Sequence, residues 1–427
     1  MRRELHSRVP IPFFLASNAS RIASPLIASV AVWIPQGAVA SGLRIPNQDA
    51  AAIARGNAFV ATADNPSALY YNPAGITQLD GFHVQAGVLA HFGITSDFRN
   101  QQSGSRASTD YEIVPVPQFY ATYTPSDSSL PLSYGLGIYA PFGLGLQWPE
   151  GGPFRQLAIE GRLTYITINP TIAWQIHPTF SVAAGPTINY SQAKLRQGIG
   201  FTTTDQFSFR GEDWGFGYHV GALWKPLDQI SVGANYRSPT SLNYHGPAHF
   251  DVSPILDMTA NTTARFDYPQ TISGGISYRP TPNWNFEIDA DWTDWSSVDT
   301  LVFKGAINPL TGTDLSLPLN WHASWFYHFG ATRSFENGYF VSIGYFFSQN
   351  STSEKNFTPY VPDTDLHVAS LGVGHWGEHW DWAVAAQIIT GPWRTVSGST
   401  PSAFGQSADG QYKFWVPTVS CSLGYHF

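Results

Sequence analysis

Trp214-Gly215-Phe216-Gly217-Tyr218-His219-Val220-Gly221-Ala222-Leu223-Trp224 decides the fold class of this chain. Trp214, Phe216, Tyr218, Val220, Ala222 and Trp224 fall on one face of an extended strand. Gly215, Gly217, His219 and Gly221 fall on the other, because successive side chains of a strand point to opposite sides. The same period recurs on either side of it. Ile166, Ile168, Ile172, Trp174 and Ile176 oppose Thr167, Asn169, Thr171 and Gln175. Trp284, Phe286, Ile288, Ala290 and Trp292 oppose Asn285, Glu287, Asp289, Asp291 and Thr293. Trp380, Trp382, Val384, Ala386 and Ile388 oppose Asp381 and Gln387. Trp and Tyr stand at the ends of these runs, where a membrane interface places aromatic girdles.

Counted along the chain there are about fourteen such runs, an even number of the kind bacterial barrels use. They lie near 82–95, 115–124, 132–142, 161–176, 180–194, 213–225, 229–243, 264–279, 283–303, 321–333, 338–349, 366–376, 380–391 and 413–427. Tight turns such as His177-Pro178, Pro226-Leu227-Asp228 and Glu336-Asn337-Gly338 alternate with longer polar stretches, 96–113, 195–212, 350–365 and 392–412. Short turns at one end and long loops at the other are the arrangement of an outer-membrane barrel. The terminal run puts Val419, Cys421, Leu423, Tyr425 and Phe427 on one face, closing the chain on an aromatic. A two-sheet sandwich is the soluble alternative, but it has no use for aromatic girdles.

Composition agrees. The 427 residues are 43% hydrophobic and 15% aromatic but only 12% charged, about half the share of an average soluble domain. Mean hydropathy of −0.13 is too polar for a bundle of apolar helices. A net charge of −8 argues against a basic nucleic-acid surface. The single cysteine excludes an internal disulfide and C-x-x-C metal spacing.

Residues 1–40 have the pattern of a cleaved export signal: Arg2, Arg3, Arg8 and Arg21, a short apolar stretch from Pro25 to Ile34, then Ala38-Val39-Ala40. Residues 41–80 show no alternation, many alanines and the turn sequences Asp64-Asn65-Pro66 and Tyr71-Asn72-Pro73-Ala74-Gly75. Fourteen strands leave an open lumen, so this block is expected to be a plug within a barrel spanning 81–427.

Several motifs, in order, resemble one family. Asn72-Pro73-Ala74 resembles the motif closing the N-terminal plug of the bacterial long-chain fatty acid transporters of the outer membrane. Ala140-Pro141-Phe142-Gly143-Leu144 is similar to the end of their third strand. Trp214-Gly215-Phe216-Gly217, Tyr236-Arg237-Ser238, Tyr268-Pro269, Thr293-Asp294-Trp295-Ser296, Val361-Pro362-Asp363-Thr364-Asp365 and Gly424-Tyr425-His426-Phe427 are similar in their turn. The resemblance implies a 14-stranded all-β transmembrane barrel with a plug and passive uptake of fatty acids or similar hydrophobic molecules. Lateral release would occur at a kink in the third strand, here among Gly135, Gly137, Pro141 and Gly143. It also implies an outer-membrane location and no enzymatic activity, with membrane lipid, the barrel-assembly machinery (through the C-terminal strand) and a hydrophobic ligand as the partners of a monomer. The glycines have a second reading as relief of crowding inside the barrel. Leu366 stands where the family often has arginine, and the loop Leu195 to Arg210 is short.

Leu43, Ile53, Phe59, Phe142, Leu144 and Leu146 are the expected apolar ligand contacts. Lys194 and Arg196 either meet a carboxylate head group or are solvated loop cations. If they are solvated, an uncharged aromatic hydrocarbon becomes the alternative ligand. Glu287, Asp289 and Asp291 form a row of carboxylates, read as a polar lumen wall balanced by cations such as Arg237 or Arg279 in preference to a calcium site. No metal or other cofactor is expected: the thirteen histidines include no H-E-x-x-H, and no G-x-S-x-G elbow, P-loop or dinucleotide fingerprint occurs. A diffusion porin and an outer-membrane acyl hydrolase are the other function classes to be tested.

Overall fold

The computed structural model describes residues 42–93, 95–126 and 130–427, so the expected signal segment 1–40 lies outside the described residues. Fourteen strands follow one another antiparallel. They are β1 (Gly81–Phe92, extended by Thr95–Arg99), β2 (Ile113–Thr124), β3 (Leu132–Tyr139, then Gly143–Gln147), β4 (Glu160–His177), β5 (Phe180–Gln197) and β6 (Gln206–Leu227). The chain continues through β7 (Ile230–Arg237 and Thr240–Val252), β8 (Leu256–Tyr268 and Thr271–Thr281), β9 (Trp284–Thr293 and Thr300–Ile307) and β10 (Asp314–Pro318 and Ser324–Ser334). β11 (Tyr339–Ser348), β12 (Leu366–Trp376), β13 (Trp380–Thr390) and β14 (Gly410–His426) complete the sheet. β14 pairs back onto β1 from His83↔His426 to His91↔Thr418, which closes the barrel and leaves no free edge between first and last strands.

The alternation sorts as the sequence predicts. On β6, Trp214, Phe216 and Tyr218 are 55%, 73% and 52% exposed, whereas His219 is fully buried on the inner face. Trp284, Phe286 and Ile288 of β9 point outward, and Glu287, Asp289 and Asp291 point inward and are buried. One expected loop is shorter than read, and strand extends beyond the expected runs. Most of 195–212 is strand, with Phe207 and Phe209 buried inside, and β7 and β8 run on through 244–263, which carried no assignment. The polar residues that made these stretches look like loops are the outward half of a period-two pattern above the membrane interface.

The N-terminal block is compact and buried, with strands on all sides of it. Helix α1 (Ala50–Ala54) is capped by the Asp49 carboxylate, which accepts from the Ala52 N–H at 3.2 Å. Helix α2 (Ala68–Tyr71) is followed by a 3₁₀ turn, Pro73–Gln78. Asn72 Nδ2 donates to the Val60 carbonyl at 2.8 Å and to the Ala222 carbonyl of β6 at 2.9 Å, so it ties this block to itself and to the wall. Gly221 faces that motif: a Cβ there would lie 2.4 Å from Asn72 Oδ1 and 2.7 Å from Pro73 Cδ. Further bonds run from Asn47 to Gln387 of β13, from Gly56 to Ser370 of β12 and from Gln48 to the Ala140 carbonyl beyond β3.

The row on β9 is the strongest of these attachments. Arg44 pairs with Asp291 at 2.6 Å and Arg55 with Glu287 at 3.3 Å. The Phe59 and Val60 N–H groups donate to Asp289 at 2.7 and 2.9 Å, and the Ala61 N–H to Glu287 at 2.7 Å. The balancing cations are therefore Arg44 and Arg55, not the expected Arg237 or Arg279. Arg279 pairs with Asp64 at 2.9 Å, and Arg237 has no carboxylate partner among the described residues. Partners this far apart in sequence become neighbours only when the barrel closes around the block.

Candidate functional site

At the loop end the lumen is filled by apolar side chains. Residues inside the outer halves of β4 to β9 would be polar in a water-filled pore. Here Leu163, Phe209, Tyr244, Phe266, Phe303 and Trp321 line a cavity of about 80 Å³ together with Leu43 and Leu144. A larger cavity, about 260 Å³, opens toward the loops and is bordered by Gln156, Phe250, Leu310, Phe357 and Ala403. Leu195, Phe303, Leu317, Thr358 and Tyr360 border both, so the two adjoin. The loops are bound to one another over this end. Trp148 Nε1 donates to the Pro359 carbonyl at 2.8 Å, Tyr360 Oη to the Arg196 carbonyl at 2.9 Å, and the Gln156 N–H to Gln406 at 2.7 Å.

Two loop carboxylates organise this cover. Asp205 accepts the N–H groups of Gly200 and Thr202 at 3.0 and 2.9 Å, and pairs with Arg155 at 2.9 Å. Burial works to raise its pKa, but these N–H donors and the guanidinium outweigh it and hold the carboxyl below its ordinary value. Asp363, in the Val361–Asp365 motif, accepts from the Ser351 N–H at 2.7 Å and the Gly42 N–H at 3.2 Å, joining a loop to the start of the buried block. Burial dominates there and pushes its pKa up.

Below the apolar cavity Phe142 lies against Tyr268, Tyr165 and Trp295, with ring centroids 5.0, 5.2 and 5.9 Å apart. This aromatic cluster sits at a break in β3. The β2–β3 ladder runs from Phe119↔Ile138 to Tyr123↔Tyr134 and then stops. Past Tyr139 the chain turns toward the buried block, where the Ile45 N–H donates to the Pro141 carbonyl at 2.8 Å and the Gly143 N–H to the Leu43 carbonyl at 2.9 Å. Gly143–Gln147 pairs onward with β4 only, and the segment ahead of β2 meets β3 where the Asp110 N–H reaches the Gln147 carbonyl at 2.9 Å. Among the described residues this leaves a stretch of wall without a ladder.

The break is at Ala140–Phe142, not at the earlier glycines. Gly135 and Gly137 keep regular partners on both sides, Thr122 and Thr171 for one, Tyr120 and Asn169 for the other. Their missing side chains make room for Leu69, which lies 2.4 Å from where a Gly135 Cβ would be. Pro141 and Gly143 flank the turn itself. Leu43, Phe142, Leu144 and Leu146 gather in the apolar cluster of the loop end, whereas Ile53 and Phe59 pack in separate clusters within the N-terminal block, away from the cavity. Lys194 borders the cavity, but Glu160 takes it at 2.9 Å and takes Arg196 at 3.2 Å; Arg196 also pairs with Glu150 at 2.6 Å. Arg162 is held by Glu112 and Glu160 at 2.5 and 2.7 Å. Phe209, Tyr244, Phe266, Phe303 and Trp321 were missed as lining residues. The signal for Tyr244 is present in the sequence, since Tyr244, Phe250 and Val252 alternate inward in 244–263, outside the fourteen runs.

A closed fourteen-stranded barrel with an aromatic belt, an occupied lumen and an apolar cavity under its loops defines an outer-membrane transport barrel. A family model described as outer membrane protein transport protein (OMPP1/FadL/TodX) matches residues 31–387, and the chain belongs to that family. An outer membrane protein of Neisseria meningitidis serogroup B is 26% identical over 349 residues, 69% of this chain and 73% of that one. A long-chain fatty acid transport protein of Escherichia coli is 22% identical over 57% of this chain and 64% of its own length. Two crystal structures share the fold. A Pseudomonas aeruginosa FadL homologue has a TM-score of 0.77 at 20% identity, over 90% of this chain and 100% of that one. The Pseudomonas putida toluene transporter TodX has a TM-score of 0.71 at 16% identity, over 91% and 100%. The chain is an outer-membrane protein of this transport family.

Proposed function

We propose that this barrel carries long-chain fatty acids or similar hydrophobic molecules passively across the outer membrane, with residues 41–80 as its plug. Ligand enters the cavity beneath the loops, moves into the apolar cavity lined by Leu43, Leu144 and Phe303, and leaves sideways past the Ala140–Phe142 break into lipid. The observation that carries this reading is the apolar cavity lying directly above a lumen filled by the N-terminal block, beside a wall stretch without a ladder. Burial of each CH₂ in such a cavity is worth about 0.8 kcal/mol, so capture needs no energy source and release needs only a lipid phase. The relatives named for fatty acid and toluene transport support the ligand class.

An uncharged aromatic hydrocarbon is a second reading. It is favoured by Glu112, Glu150 and Glu160, whose three carboxylates balance Arg162, Lys194 and Arg196 beside the cavity. The reading is of a channel and not an enzyme, working as a monomer whose last strand addresses the barrel-assembly machinery. Native mass spectrometry of detergent-extracted protein tests it: a co-purifying acyl chain or hydrocarbon is expected. An empty barrel with ohmic conductance in planar bilayers would replace this reading with a diffusion porin, and turnover of a fluorogenic ester with a hydrolase.

A further inference from the structure

Three arginines stand at the level of the N-terminal block, and two of them are neutralised: Arg44 by Asp291 and Arg55 by Glu287. The third, Arg237 of β7, lies in the Tyr236-Arg237-Ser238 motif and has no carboxylate within 4.0 Å among the described residues. Its guanidinium lies over the Tyr70 ring, 4.0 Å from the centroid, and one Nη donates to the Tyr70 carbonyl. The Tyr139 hydroxyl is within hydrogen-bonding reach of the guanidinium, and the Arg237 Nε is buried without a partner. Arg237 is half-buried, and a partly desolvated guanidinium with N–H donors to spare is favoured by an anionic partner. Asp291 borders a small cavity with Arg237, but it is paired with Arg44 at 2.6 Å.

The protein does supply a space. A cavity of about 30 Å³ borders Arg237 and Arg44, with Thr187, Asn189, Ser238 and Thr240 around it. That is room for a carboxylate, given that one water needs roughly 10–15 Å³. These hydroxyls and the amide share the lining with Tyr139, Tyr165, Tyr268, Pro141 and Phe142, so the cavity is mixed in character where the one above is apolar. Tyr268 borders both cavities, and Phe142, packed on Tyr268, lies between them at the break in β3.

We infer that Arg237 is a head-group station: it receives the carboxylate of a fatty acid whose tail still occupies the apolar cavity, at the point where the β3 wall opens. The inference rests on the transport reading and deepens it, because it moves the recognition of charge from Lys194 and Arg196 to a residue below the aromatic cluster. The planar fork of arginine fits a carboxylate through two parallel hydrogen bonds, which lysine does not reproduce.

The test is equilibrium binding of palmitate and of 1-hexadecanol to the purified, detergent-solubilised chain at pH 8, compared with Arg237→Gln and Arg237→Lys. Wild type should bind palmitate more tightly than hexadecanol. Arg237→Gln should weaken palmitate about tenfold or more and leave hexadecanol unchanged, and Arg237→Lys should fall between. Heat-modifiable gel mobility confirms closed barrels, and the hexadecanol arm reports any loss of packing around Tyr70. Equal weakening of both ligands, or no change in either, overturns the head-group station and leaves transport standing. Removal of the palmitate preference by 100 mM acetate in wild type would make this a small-anion pocket and also overturn it. Failure of wild type to bind either probe overturns the transport reading together with the station.

Discussion

Replacing Glu287 by alanine tests the attachment of the N-terminal block to β9. The Glu287 carboxylate is fully buried, and the Arg55 side chain paired with it is 5% exposed. It accepts from the Ala61 N–H at 2.7 Å and from the Thr62 N–H at 3.1 and 3.2 Å, and it also bonds the Thr62 hydroxyl. Removing one partner of a buried ion pair costs about 3–5 kcal/mol, because the remaining charge stays buried and alone. Two N–H groups left without acceptors add about 1–3 kcal/mol each, though not additively. Relief of repulsion with Asp289, two residues along the same face, works in the opposite direction. The expected net is about 3–5 kcal/mol, enough to loosen residues 59–62 from the wall while the other attachments, to β6, β12 and β13, hold. Amide exchange read by mass spectrometry should show protection lost at Phe59 to Thr62 and kept in β9, and single-channel recording should show intermittent ion leak. Unchanged protection at those amides, with a silent bilayer, would refute the claim that this carboxylate anchors the block. Glu287→Gln keeps one acceptor oxygen and should lie between.

Glycines that face the block should be far less replaceable than glycines that do not. A Cβ on Gly344 would lie 2.0 Å from the Gly56 N, so Gly344→Ala should cost about 1–3 kcal/mol as overpacking. Gly274→Ala, whose nearest heavy atom is 3.9 Å away, should leave thermal unfolding unmoved. Lys194→Gln should change fatty acid affinity less than twofold, because Glu160 already neutralises that ammonium; a loss of tenfold would return head-group recognition to Lys194. The loop held by Asp205 should be acid-sensitive. Its folded pKa is lowered, so its stabilisation is present above the unfolded value of about 3.9 and is lost as pH falls through the folded value. Limited proteolysis at 198–205 should therefore rise between pH 5 and pH 2, and Asp205→Asn should cleave readily and independently of pH. Phe142→Ala should lower affinity for palmitate and hexadecanol alike, and should cost about 3–5 kcal/mol in stability.

The period-two pattern carried the architecture, because which face a strand residue takes is settled within two residues of chain. Trp214 to Trp224 needs no partner to have an aromatic face, and fourteen such runs with an even count imply closure. The reading failed where that pattern continued with polar outward residues, as in 244–263. Above the membrane interface the outward face meets water, so the apolar residues there are the inward ones.

The site was less legible. Leu43, Phe142, Leu144 and Leu146 share one apolar cluster, whereas Ile53 and Phe59 pack within the block itself. Lys194 and Arg196 look like free cations in a one-dimensional reading, since Glu160 is 34 residues from Lys194. Asn72 carries a recognisable motif, yet its function as a tie between Val60 and Ala222 depends on a strand 150 residues away. The sequence by itself determined the barrel, its strand count and the separate character of residues 41–80, all consequences of local periodicity and composition. Only the tertiary structure decided which charges neutralise each other, that the β2–β3 ladder ends at Phe119↔Ile138, and that Arg237 has no paired carboxylate among the described residues. Those depend on which side chains closure of the barrel brings to one point in the lumen, and no local pattern encodes that.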